Sequence, residues 1–109
     1  MIRGTTPSHI LSIEGYDLTG TRVYVTLSSG RSQITKTNED LVVSYENETT
    51  SILLFLTQED TLGLLTGTAE VQVRWIDSGG IAQATEIETI AVDRVLWPKV
   101  ISYDGGDGT

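Results

Sequence analysis

The chain contains no cysteine, which excludes disulfides, thiolate nucleophiles and cysteine-ligated zinc or iron–sulfur centres. Histidine is almost as scarce, with His9 alone. A zinc site takes three or four ligands, and beside one imidazole only carboxylates remain to supply them. Basic residues are few: seven Lys and Arg against fifteen Asp and Glu give a formal net charge of −8. Such a field repels phosphate, which argues against nucleic acid and against anionic membrane surfaces. The same balance favours solubility. Long apolar runs are missing too. The longest is Ile52–Leu56, far short of the ~20 residues of a membrane helix. The opening MIRGTTPSH lacks the apolar centre of a signal peptide. The expectation is a chain made and kept soluble, initially in the cytoplasm.

What is present is alternation with a period of two, over 109 residues of which 39% are apolar. That length supports one domain with a thin core of two layers. Ser8–Glu14 places His9, Leu11 and Ile13 on one face, and Arg22–Ser28 places Val23, Val25 and Leu27 likewise. Ser29-Gly30 leads to a polar second arm, Arg31–Thr37; Leu41–Tyr45 is a short strand, and Glu46–Thr50 a polar turn. Ser51–Leu56 (SILLFL) is the most apolar strand, which predicts a central position buried on both sides. Ala69–Asp77 turns Ala69, Val71, Val73 and Trp75 inward, and Ser78-Gly79-Gly80 supplies a tight hairpin connection. In that register Val71 faces Ile87 and Gln72 faces Glu86. The inward set on Ile81–Val92 shifts from Ile87 and Thr89 to Ile90 and Val92, which predicts a bulge near Thr89. The pattern predicts an all-β fold, an immunoglobulin-like sandwich of six or seven antiparallel strands, over residues 1–101. A flexible acidic Gly/Asp tail is expected over Ser102–Thr109.

LTQEDTLGLL, Leu56 to Leu65, interrupts the strands. Thr57 and Asp60 have the spacing of a capping box, and Glu59 and Asp60 then occupy a first turn where the helix dipole favours acids. The acid pair is explained by one short helix around Gln58–Leu65, not by catalysis. Glu86 and Glu88 share one solvated face. Asp104 and Asp107 resemble one broken copy of a calcium-binding repeat. Asn47-Glu48-Thr49 matches a glycosylation sequon without a secretory signal. A triad would have to use His9 with Ser8, Ser12 or Ser28, and no strained nucleophile elbow is present; His9 reads as an inward or edge residue of the first strand. No glycine pattern forms a phosphate loop. Trp75 shares the core alternation, whereas Trp97, just before Pro98, is placed to be exposed in a contact surface. No catalytic residue, metal ligand or cofactor is expected.

Three stretches, MIRGTTPSH, LTQEDTLGL and VQVRWIDSGGIAQATEIETIAVDRVL, together resemble a set of small proteins encoded in the structural gene clusters of Gram-positive tailed phages and prophages. The resemblance spans nearly the whole chain up to Leu96 and rests on sequence strings, none of them a chemical motif. The chain is also similar in architecture to the immunoglobulin-like N-terminal domain of phage baseplate upper proteins. The resemblance implies a structural role in tail, neck or baseplate, through contacts with other virion proteins, as a homo-oligomer in the assembly. Location would be the virion, or the host cytoplasm during assembly. It defines no catalytic residues. The Gly/Asp tail, Trp75 and Trp97 depart from the set. The expected interface is Met1, Ile2 and Arg3, from an arm that docks or adds a strand, with Trp97 and Pro98. A carbohydrate-binding adhesion module is the alternative, with Trp97 or the tyrosines Tyr16, Tyr24 and Tyr103 as its platform; a small hydrolase using acid pairs is a third reading.

Overall fold

The structure, a computed structural model, describes residues 1–104. Its strands are β1 (Ser8–Glu14), β2 (Arg22–Ser29), β3 (Ser32–Thr37), β4 (Leu41–Glu46), β5 (Thr49–Phe55), β6 (Gly67–Ile76), β7 (Ala82–Ala84) and β8 (Glu88–Val92), with a 3-10 turn, Asn38–Asp40, between β3 and β4 and one α-helix, α1 (Gln58–Leu62), between β5 and β6. They form two antiparallel sheets, β1-β5-β4 and β3-β2-β6 followed by β7 and β8, both of which pair with β6. This is the order of an immunoglobulin-like sandwich. Eight strands appear where six or seven were expected because the last arm is divided in two.

The alternation read from the sequence becomes the core. Val23, Val25 and Leu27 of β2 and Ala69, Val71, Val73 and Trp75 of β6 are buried against Ile13, Ile52, Leu54 and Leu41 of the smaller sheet. Burying a side chain of this kind contributes about 1.5–3 kcal/mol. Leu18 and Leu64, both in loops, complete the cluster. Thr50 is buried beside them, its hydroxyl accepting from the Leu18 N–H at 3.1 Å and donating to the Tyr16 carbonyl at 2.5 Å. Two side-chain amides act as backbone surrogates. Asn38 donates to the Thr21 carbonyl and accepts from the Val23 N–H. Gln58 does the same to both backbone groups of Ile101.

The expectations for β5, for the helix end and for the last arm need correction. β5 is central, with Ile52 and Leu54 buried, but its other face is open: Leu53 is half-buried and Phe55 exposed. The helix stops at Leu62 rather than Leu65. Gly63 caps it, and the Ser29 hydroxyl takes the Leu65 N–H at 2.9 Å, drawing that residue out of the helix. The bulge lies earlier than Thr89. Near the turn the register is the expected one (Arg74↔Ala84, Trp75↔Gln83), but Val71 faces Glu88, not Ile87. One residue is therefore gained between Ala84 and Glu88. Thr85 explains the slip: its N–H donates to the Val73 carbonyl while its side-chain oxygen accepts from the Val73 N–H at 3.1 Å. A side chain thus replaces a backbone acceptor, and Ile87 is left exposed. Residue 105 onward of the expected Ser102–Thr109 tail lies outside the described residues, as does Asp107 of the calcium-like pair.

Candidate interaction surface

The N-terminal arm is engaged within the domain. Ile2 bridges Asp93 in parallel, with Arg3 N–H donating to the Asp93 carbonyl and Asp93 N–H to that of Met1. The terminal ammonium donates to the Ala91 carbonyl at 2.8 Å. Arg3 reaches α1, donating to the Leu62 carbonyl at 2.7 Å. Thr61, fully buried, accepts from the Gly4 N–H and donates to the Thr5 carbonyl, each at 2.9 Å. Met1–Arg3 thus cover part of the β8 edge, and only the Ile2 side chain among them is well exposed. Trp97 and Pro98 follow four and five residues after Asp93, before the Ile101 clamp, and both are exposed. The arm is therefore joined to the chain at Asp93, four residues before Trp97.

The carboxylates are accounted for locally. Thr57 and Asp60 form the reciprocal capping box, and Asp60 pairs with Lys36 at 2.8 Å. Burial alone would raise the Asp60 carboxyl, but Lys36 and the Thr57 bonds overcome this and hold it below its ordinary value. Glu59, Glu86 and Glu88 face solvent. His9 is half-buried on β1, its Nε2 without a hydrogen-bond partner, and burial together with the nearby N-terminal ammonium lowers its pKa. Among the described residues no three His, Asp or Glu are grouped to hold a metal ion, and no helix is long and apolar enough to cross a membrane. Of the aromatics, Trp75 is buried against Tyr16, ring centroids 5.4 Å apart. Tyr24 lines a cleft with Arg74 on the outer face of the larger sheet.

The surface that the sequence reading missed is the outer face of β1-β5-β4. Ile10 pairs with Leu53, and Leu53 with Val42, so the three form one apolar row across the sheet. Phe55 stands one pair along on β5 and shares a cleft of about 290 Å³ with Val42, Leu41 and Lys36. Ile10 is 70% exposed, Val42 54% and Phe55 51%. Toward the other end the face changes to a hydroxyl row, Ser12–Ser51–Ser44, then to Glu14–Thr49–Glu46. The sequence signal was available: apolar residues at Ile10, Val42, Leu53 and Phe55 break the polar phase of three strands, and among the described residues no third layer covers them.

β1 also presents an edge. The bonds Leu56 N–H to Pro7 carbonyl and Gly15 N–H to Glu48 carbonyl fix the phase of its ladder with β5. Odd-numbered residues of β1 therefore exchange bonds with β5, and the N–H and C=O of Ser8, Ile10, Ser12 and Glu14 point the other way. Comparison of the whole chain with protein-family models and with curated proteins finds no match.

Proposed function

We propose that this chain is a structural protein of a tailed-phage particle, in tail, neck or baseplate, that works through protein–protein contact and not through catalysis. The observation that carries the contact reading is the exposed row Ile10–Leu53–Val42 with Phe55. A contiguous apolar patch on a sheet face, bordered by hydroxyls and acids, is the make-up of a contact surface with an apolar centre and a polar rim. Asp60 has structural partners, Glu59, Glu86 and Glu88 face solvent, and among the described residues no nucleophile is bonded to the lone histidine. The phage setting rests on the likeness of MIRGTTPSH, LTQEDTLGL and the VQVRWIDSGG stretch. Partners on this reading are other virion proteins, with further copies of the chain in a closed assembly.

The test is mass spectrometry of purified particles from an induced source strain, made with wild type and with Val42→Lys and Phe55→Lys. Both substitutions fall on exposed positions, where stability shifts by under about 0.5 kcal/mol. Wild-type peptides in stoichiometric amount with tail proteins, and their loss in both variants, is the expected result. Absence of wild-type peptides from intact particles, with the protein present in the lysate, overturns the reading.

A further inference from the structure

In a sandwich of this order a first strand normally lies beside the second, completing the sheet A-B-E-D. Here β1, β5 and β4 hold the B, E and D places. The chain's opening residues take another course, along β8, and among the described residues none pairs with β1 on its second side. Natural sheets protect such edges with lysine, proline, bulges or a covering segment. β1, SHILSIE, carries none of these devices, and its one charge, Glu14, stands at its end.

Beside this edge the two sheets part. A groove of about 280 Å³ runs there, lined on one side by Ile10, Leu11, Ser12 and Ile13 and on the other by Val71, Val73, Thr85 and Glu88. Thr85, at the bulge between β7 and β8, lines it. Its floor is apolar, with Val71 and Val73 buried below it. Glu88 stands at its rim, Glu14 ends the strand beside it, and among the described residues no basic side chain lines it.

The geometry points to β1 as an acceptor edge for an extended segment of a partner protein, added as the missing first strand. This deepens the contact reading and rests on it. The segment would span the seven residues of β1, about 20 Å of strand. Its main chain would bond the free groups of Ser8, Ile10, Ser12 and Glu14. Every second side chain would enter the groove over Val71 and Val73, which suits small apolar residues of valine size. Lysine or arginine at its ends would meet Glu14 and Glu88. A second copy of this chain, with its net charge of −8, is a poor occupant of this acid-flanked edge, so that copies within an assembly would meet through other surfaces. The mode is β-augmentation, with main-chain bonds supplying affinity and alternate side chains supplying selectivity.

The probe is the capped peptide KVTVTVK, titrated into the 15N-labelled full chain at low salt, with EVTVTVE as its acidic counterpart. The expected result is saturable amide shifts and new exchange protection centred on Ser8, Ile10, Ser12 and Glu14, with EVTVTVE at least about tenfold weaker. Ser12→Pro removes an N–H that faces the open edge and bonds nothing within the domain, a position where a strand tolerates proline. It should keep the fold and lose the peptide by at least about tenfold, whereas Ile13→Pro breaks the β5 ladder. No saturable binding at millimolar peptide, shifts centred on β3 or β4, or undiminished binding to folded Ser12→Pro overturns the inference. Should Ser12→Pro not fold, exchange in wild type decides: these four amides must exchange faster than those of His9, Leu11 and Ile13 before the peptide is added, and slower after it. If the peptide fails while Val42→Lys and Phe55→Lys still remove the chain from particles, the acceptor edge falls and the contact reading stands. If the peptide binds and the particles lack the chain, the virion setting falls and the acceptor edge stands.

Discussion

Replacing Thr61 by valine should loosen the N-terminal arm. Hydrophobicity alone argues the reverse, because Thr61 is fully buried and valine is the more apolar side chain of nearly equal volume. The hydroxyl, however, is the joint between arm and helix, holding the Gly4 N–H and the Thr5 carbonyl at 2.9 Å each. Each such bond is worth about 1 kcal/mol net, and a partner stranded out of water costs about 1–3 kcal/mol. A methyl in place of the hydroxyl returns about 0.8 kcal/mol. The balance is about 2 kcal/mol of destabilisation, or about 8 °C in Tm at roughly 4 °C per kcal/mol for a domain of this size. Thr61→Ser keeps both bonds and loses only a methyl, about 1 kcal/mol. The expected order of stability is wild type, then serine, then valine. Thermal unfolding gives the order, and amide exchange at Gly4 reports whether the arm has opened. A valine variant as stable as wild type, with Gly4 still protected, would refute the assignment of Thr61 as the latch.

Asp60→Asn should flatten the acid limb of stability. With its folded pKa held below the ordinary value, Asp60 adds stability that is complete above the unfolded value of about 3.9 and is lost as pH falls through the folded one; urea midpoints between pH 6 and 2 measure this. His9 is also depressed, so its contribution is full above about pH 6.5 and declines as pH falls towards the folded value, and His9→Leu should abolish that slope in the same titration. Thr85→Val deprives the Val73 N–H of its acceptor and should cost about 1–2 kcal/mol in chemical unfolding. Trp75→Ala should cost about 3–5 kcal/mol and abolish the near-ultraviolet dichroism of the Tyr16–Trp75 pair.

Strand positions were legible because a period of two is written residue by residue: β1 appears over the same residues, and the inward sets of β2 and β6 are the buried ones. The helix start was legible for the same reason, since a capping box is a contact between Thr57 and Asp60, three residues apart. What failed involves partners distant in sequence. The place of the bulge depends on Thr85 substituting for a backbone acceptor of Val73, twelve residues away. The helix end depends on Ser29 capturing Leu65, thirty-six residues away. SILLFL reads as buried on both faces because its two apolar phases look alike; only topology shows that one phase meets the core and the other meets solvent.

The arm was the hardest to read, because alternation cannot say which of several edges a segment will cover. Two sheets leave edges at β1, β4, β3 and the β7–β8 side. Met1–Arg3 cover β8. On β3, Lys36 bound to Asp60 places a charge of the sort that blunts strand addition. β4 is flanked by Glu39, Asp40 and Glu46. Among the described residues β1 is left bare, and it is the strand on which the two features of the interaction surface meet. The side chain of Ile10 ends the row from Val42 through Leu53, while its N–H and C=O face the open edge. A strand added to β1 would therefore carry that apolar row one residue further, from the sheet face onto the partner.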